Sequence, residues 1–166
     1  MMKQEEYRSA ATHAEPGKAP NMKVKLLSTV GDVRTYMVIF YKGDEVVSGL
    51  TEFALTYDVK SAHFEGIGSA FSVELGWFDF ERLEYQVIPV GIAEVTSLTG
   101  NITWYDGKPV AHAHATASER GGSVKGGHLL AMIVGPTVEV IVMVEPIALN
   151  KKLNSEFNAT MIDPDL

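Results

Sequence analysis

Three of the five histidines of this chain lie between Ala111 and His128, in the stretch AHAHATASERGGSVKGGH. Imidazole nitrogen is a ligand for zinc and for other borderline divalent metals. The chain contains no cysteine, so a metal site in it must use histidine, aspartate or glutamate. No other stretch holds as many histidines, and we therefore take it as the candidate metal site.

The alternation of alanine with polar residues predicts that residues 111–118 form a β-strand. Successive side chains of a strand point to opposite faces, so the alanines share one face and His112 and His114 share the other. Two imidazoles on the same face are roughly 7 Å apart at Cα, a separation that the side chains can close onto one ion. The small alanine side chains allow another layer to approach the strand closely from behind.

The position of His128 depends on the polar, glycine-rich turn that precedes it. If the hairpin is symmetric about Gly121, Ser118 lies opposite Val124 and His114 lies opposite His128. Directly opposed residues are close and share a face, so all three histidines converge in this register. A slip of one residue would send His128 to the opposite face.

Three neutral imidazoles suit zinc and leave one coordination position free, as in catalytic zinc sites. Further ligand candidates are His63, Glu65 and Glu94. In the alternative interpretation, the two strand histidines point to solvent and His128 hydrogen-bonds to the turn. Spacing alone does not decide between the two.

The elements around this hairpin are predicted to be mostly strands. Residues 22–30 and 33–41 are β-type runs on either side of Gly31-Asp32, which predicts a tight hairpin. Apolar residues at helical spacing predict one main α-helix at about 44–58, with Asp44 as its N-cap. Other strands are predicted at 61–66, 69–80, 83–90, 93–105, 129–134 and 137–144, with a turn at 66–68, a bulge or bend at Gly100, and breaks at 106–107 and 135–136. This pattern predicts an α+β fold on a mostly antiparallel sheet.

The length of 166 residues favours one domain. Residues 1–20 are polar and predicted to be a mobile tail in which His13 is solvated. Residues 21–150 form the predicted domain, and residues 151–166 form an extension that packs on it. No apolar run is long enough to span a bilayer, so no membrane partner is expected. The N-terminal residues lack the apolar centre of a signal peptide, and we expect a cytoplasmic protein.

The chain is acidic, with 14 lysines and arginines against 21 aspartates and glutamates and a formal net charge of −7. Proteins that bind DNA directly gain much of their affinity from lysine and arginine contacts with phosphates. Direct DNA binding by this chain alone is therefore not expected.

Four segments, taken in order, resemble the PPC domain (DUF296) family. They are GDEVVSGLTEFA, HFEGIGSAFSVELGWFD, EVTSLTGNITWYDGKPVAHAHATAS and GGHLLAMIVGPTVEVIV. The resemblance covers about residues 24–150 and implies an α+β fold with a single helix and assembly as a homotrimer. In plants this domain follows AT-hook motifs in nuclear DNA-associated proteins. Prokaryotic members are usually stand-alone and are labelled DNA-binding by analogy. This chain has no Arg-Gly-Arg core of an AT-hook, which weakens the transfer of a DNA role.

The broader fold is similar to that of acetolactate decarboxylase, which holds zinc through a His-x-His pair and a later histidine. His112, His114 and His128 match that order. The resemblance implies a stand-alone prokaryotic protein with a binding or regulatory role. It also implies that the protein binds a divalent metal, with zinc favoured. The alternative is a metal-dependent enzyme of lyase or hydrolase type that acts on a small polar metabolite. A third possibility is a DNA-associated protein that acts through partners.

Overall fold

The computed structural model describes residues 5–166. Within this range the chain forms ten β-strands and one α-helix, so the predicted α+β fold with one main helix is confirmed. In chain order the elements are β1 (Tyr7–Ser9), β2 (Lys23–Val30), β3 (Val33–Tyr41), α1 (Val46–Thr56), β4 (Ser61–Asp79), β5 (Glu84–Val90), β6 (Ala93–Tyr105), β7 (Lys108–Ser118), β8 (Val124–Glu145), β9 (Asn150–Asn154) and β10 (Ala159–Asp163).

The strands form one sheet whose pairings are antiparallel, apart from a single parallel contact between β6 and β9. Its main path is β1-β5-β4-β6-β7-β8-β3-β2. The long strands β4 and β8 also pair with each other, so β4, β6, β7 and β8 form a closed ring of neighbours. The largest fully buried side chains on these four strands are apolar: Phe64, Leu75, Leu98, Ile102 and Met132.

Helix α1 begins one residue after Glu45, which is its N-cap. The Glu45 carboxylate accepts hydrogen bonds from the backbone N–H groups of Val47 and Ser48, at 3.2 and 2.6 Å. The prediction that Asp44 caps the helix is wrong. Asp44 is fully buried and accepts hydrogen bonds from two backbone N–H groups of the preceding chain instead. Within residues 5–166 there is no helix long and apolar enough to cross a membrane.

Strands β4 and β8 run continuously through positions where the sequence predicts a turn or a break. Gly66 and Gly68 flank a register shift inside β4, where a Cβ on either glycine would collide with backbone carbonyl groups of β8. Gly135 and Pro136 lie inside β8, near another register shift in its pairing with β4. Proline has no N–H to donate, and at a bulge none is needed. Glycine and proline here mark close approach and bulges within strands.

The segment before β2, predicted as a mobile tail, contacts the rest of the chain in this structure. Strand β1 pairs with β5, Arg8 lies 2.6 Å from Glu74, and Ala19 is buried. Residues 1–4 of the predicted tail lie outside the described residues. At the other end of the chain, β9 and β10 form a hairpin that contacts β6. Strand β1 has only three residues, so it leaves no periodic signal in the sequence.

Candidate metal centre

The hairpin of β7 and β8 has the register that the turn symmetry predicts. His114 lies directly opposite His128, and the pairing continues without a shift to the turn. Gly121 and Gly122 take φ values of 94° and 87°, a region that glycine enters without strain. The alternate alanines at 113, 115 and 117 are buried, while the histidines lie on the other face.

The three histidines converge on this face. One ligand nitrogen of each of His112, His114 and His128 lies within 4.8 Å of the others. The ring centroids of the three pairs are 5.1 to 5.5 Å apart. His114 is exposed, and the other two rings are partly buried. The arrangement is open to solvent on one side and enclosed on the other.

Strand β6, which pairs with β7, approaches it closely at Gly100. Gly100 pairs with Ala113, and a Cβ on Gly100 would collide with the carbonyl oxygen of His112 and lie 2.6 Å from the Phe64 ring. The predicted bulge or bend at Gly100 is therefore wrong, since the register shift of β6 lies nearer its start. Glycine at this position sets the distance between β6 and the backbone that carries His112.

Burial keeps the two inner imidazoles neutral. Burial, with smaller contributions from the nearby His112 and His114, lowers the pKa of His128 to about 3. Burial, followed by the positive charge of Lys151, lowers the pKa of His112 to about 4. The His128 ring stacks on Tyr85 with centroids 4.3 Å apart, and its buried Nδ1 has no hydrogen-bond partner among the described residues. Neutral imidazoles have a free lone pair, so no proton competes with a metal near pH 7.

A cavity of about 500 Å³ adjoins the histidines. His112 and His128 line it, together with His13, Tyr85 and Lys151. Its walls come from the N-terminal segment, the start of α1, the hairpin of β7 and β8, and the C-terminal hairpin. A volume in this range is typical of small-molecule sites.

These observations agree with a comparison of the sequence with known families. A sequence model of the Plants and Prokaryotes Conserved (PCC) domain matches residues 27–145. The chain belongs to this family. Among curated proteins, none matches the sequence.

Solved structures of other proteins share the PCC fold. One, named "Putative DNA-binding protein" and from Ralstonia eutropha JMP134, is 31% identical with a TM-score of 0.75, over 84% of this chain and 95% of that one. A plant- and prokaryote-conserved (PPC) protein from Pyrococcus horikoshii is 27% identical with a TM-score of 0.73, over 85% and 94%. A metal-containing protein from Archaeoglobus fulgidus is 24% identical with a TM-score of 0.72, over 85% and 96%. The likeness to α-acetolactate decarboxylase from Bacillus subtilis is weak, with 13% identity and a TM-score of 0.48.

The other predicted ligands of the PCC domain do not join the three histidines. Within residues 5–166, the close group of ligand atoms contains His112, His114 and His128 alone. Strand register places His63 two strands from His112 and Glu65 two strands from His114, about 10 Å away at the usual strand spacing. Glu94 lies opposite the C-terminal end of β7. All three of these side chains are exposed.

Two residues beside the site were missed by reasoning from the sequence. His13 is not a solvated tail residue: burial lowers its pKa, and its Nε2 lies 3.2 Å from the hydroxyl of Thr160. Lys151 comes from the opposite end of the chain and is buried beside the cavity. Neither residue stands in a motif, and only the paired termini bring them to the hairpin.

Proposed function

We propose that this PCC domain binds one divalent metal ion through His112, His114 and His128, and that zinc is the preferred metal. The convergence of three imidazoles with ligand nitrogens within 4.8 Å of one another carries the proposal. Zinc–nitrogen bonds of about 2.0–2.1 Å would hold tetrahedral ligand nitrogens about 3.4 Å apart, so small ring rotations would complete the site. The metal-containing protein from Archaeoglobus fulgidus, which shares the fold, is consistent with it.

The donor set favours zinc over calcium or magnesium. Both of the latter prefer oxygen ligands, whereas the site offers three nitrogens and no nearby carboxylate among the described residues. A metal would also give the buried His128 ring a polar partner, since its Nδ1 has no hydrogen-bond partner within the described chain. Three protein ligands leave one coordination position free.

The metal-loaded protein is proposed to act as a homotrimer with a binding or regulatory role. Large apolar side chains remain exposed along strands that one chain does not cover, which is typical of subunit contacts. They include Leu26, Leu27, Val30, Ile67, Phe71 and Trp77. One face of β3 is buried, but the other, with Met37 and Ile39, is only half-buried. Multi-angle light scattering should give three times the chain mass, and a monomer at micromolar concentration would contradict this assembly.

The cavity favours a second candidate, a metal-dependent lyase or hydrolase acting on a small polar metabolite. His112 and His128 line a volume of about 500 Å³, so a bound metabolite would lie next to the metal ligands. A metal held there would supply Lewis-acid polarisation of a substrate oxygen. The chain's own part is to bind and orient the metabolite and to exclude water, through side chains such as Lys151 and His13. Loss of turnover in the His128→Ala variant would distinguish this candidate from a purely regulatory role.

Direct DNA binding is not part of this proposal, although a similar structure carries a DNA-binding name. The formal charge of −7 opposes the counterion release on which such affinity depends. Association with DNA through a protein partner is compatible with the charge. A salt-dependent gel shift by the purified protein at physiological ionic strength would contradict this view.

Metal analysis of purified variants tests the zinc site. The wild-type protein, stripped with a chelator and then saturated with zinc, should retain one zinc per chain by mass spectrometry. His112→Ala, His114→Ala and His128→Ala should each weaken zinc binding at least tenfold. His63→Ala is the matched control, since it removes an exposed histidine two strands away. Unchanged zinc affinity in all three site variants would refute the proposal.

A further inference from the structure

Lys151 is a buried lysine at the wall of the cavity. Its side chain is 7% exposed, and it belongs to strand β9, opposite Ile162 of β10. The next residue, Lys152, is exposed, and its ammonium lies 3.8 Å from Asp163. Taking a charged ammonium out of water is costly unless an opposite charge or hydrogen-bond acceptors replace the water. The Lys151 ammonium therefore requires an anionic or hydrogen-bonding partner.

Within residues 5–166 no ion pair or side-chain hydrogen bond involves the Lys151 ammonium. The carboxylates that line the cavity are engaged elsewhere. Glu74 pairs with Arg8 at 2.6 Å, and Glu15 pairs with Lys108 at 3.2 Å. Glu45 caps α1 and also accepts a hydrogen bond at 2.9 Å from the backbone N–H of a β8 residue. No lining carboxylate is left to balance Lys151.

The other groups at this end of the cavity carry no negative charge. His13, His112 and His128 line it, and an imidazole ring supplies no counter-ion to an ammonium. Thr160 and Tyr85 add uncharged side chains to the lining. A buried lysine whose neighbours in the cavity offer no free negative charge favours a negatively charged ligand there.

The surroundings match a carboxylate better than a phosphate. Phosphate sites typically combine backbone N–H groups at a helix N-terminus with several cations. Here the N-terminus of α1 is already capped by Glu45, and Arg8 is paired with both Glu6 and Glu74. Of the two lysines in the lining, Lys18 is exposed and Lys151 is buried. One buried cation is therefore left, which matches a single negative charge.

We propose that the cavity binds a small organic carboxylate whose negative charge pairs with Lys151, next to the three-histidine site. The inference deepens the proposed function by naming the chemical class of the metabolite. It depends on the metal proposal only in placing the carboxylate next to a bound metal. The pairing with Lys151 itself requires no metal.

Titration with propionate and with its neutral analogue propionamide tests the charge pairing. NMR of the wild-type protein, with and without zinc, should show propionate shifting the ring resonances of His13 and His112 and binding at least tenfold more tightly than propionamide. Lys151→Met should weaken propionate binding at least tenfold. Lys152→Met is the matched control, because it removes the adjacent exposed lysine and should change the affinity less than twofold.

The outcomes separate the two proposals. Zinc uptake without any preference for propionate over propionamide would overturn the carboxylate site and leave the metal site standing. Lys151-dependent propionate binding in a protein that takes up no zinc would support the carboxylate site and refute the metal site. Unchanged propionate affinity in a folded Lys151→Met variant would overturn the inference. If that variant does not fold, the wild-type comparison decides, and a preference below twofold overturns it.

Discussion

Acid should destabilise the metal-free protein because His128 is buried in its neutral form. Burial lowers its folded-state pKa to about 3, with smaller contributions from His112 and His114, whereas the ordinary value is 6.5. Between these two values the unfolded chain binds a proton at His128 that the folded chain does not. The free energy of unfolding therefore falls as the pH falls below 6.5, and the stability from the neutral ring is fully present above that pH.

The size of the effect follows from the proton count. A difference of one bound proton changes the free energy of unfolding by about 1.4 kcal/mol per pH unit. The unfolded imidazole is already half-protonated at pH 6.5, so lowering the pH from 6.5 to 4.5 should remove roughly 2.3 kcal/mol through His128 alone. This is a large part of the 5–15 kcal/mol typical of whole domains. His112, whose pKa is about 4 for the same main reason, contributes in the same direction.

Urea unfolding between pH 7 and 4.5, with a chelator present, measures this loss. His128→Phe removes the titrating group and keeps a ring against Tyr85, so its stability should depend less on pH than that of the wild type. Carboxylates titrate in both proteins and cancel in the difference. His63→Gln, at an exposed histidine, should leave the wild-type slope unchanged. Equal slopes for His128→Phe and the wild type would refute the argument that His128 is buried and neutral.

Three further variants test other parts of the structure. Glu45→Ala removes the cap of α1 and the acceptor of a buried β8 N–H, and should cost roughly 2–4 kcal/mol of unfolding free energy in urea. Gly100→Ala should cost about 1–3 kcal/mol through overpacking and weaken zinc binding, whereas Gly91→Ala, where a Cβ meets open space, should do neither. Lys151→Met should raise the melting temperature of the metal-free protein by removing a buried unpaired charge; an unchanged or lower value would contradict that burial.

The sequence was most informative where the structure depends on residues that are close together in the chain. The register that places His114 opposite His128 follows from side-chain alternation and a turn centred near Gly121. The β2–β3 hairpin at 31–32 is confirmed for the same reason. The helix was identified by its apolar spacing, although its cap is Glu45 and not Asp44. Both acidic side chains can accept N–H bonds, so only the path of the backbone distinguishes them.

The sequence was least informative where residues far apart in the chain meet. His13 and Lys151 reach the cavity because the paired ends of the chain are brought to the hairpin, and no local pattern encodes that placement. The glycines at 66 and 68 predict a turn, yet they permit a close approach between β4 and β8. A missing Cβ permits tight turns and tight packing alike, so the partner strand must be known before the two can be told apart.

The backbone positions of the three histidines are set by the hairpin and the core behind it. The turn at Gly121 and Gly122 sets the register of the hairpin, and the alanines opposite the histidines are buried in the main core. Small zinc domains without such a core unfold when the metal is removed. We expect the chelated chain to keep its core, with a local energetic cost at the buried Nδ1 of His128, which has no hydrogen-bond partner among the described residues. An unsatisfied buried polar atom costs about 1–3 kcal/mol. Because only the folded state presents the three imidazoles together, zinc should stabilise it further in proportion to the logarithm of the free zinc concentration.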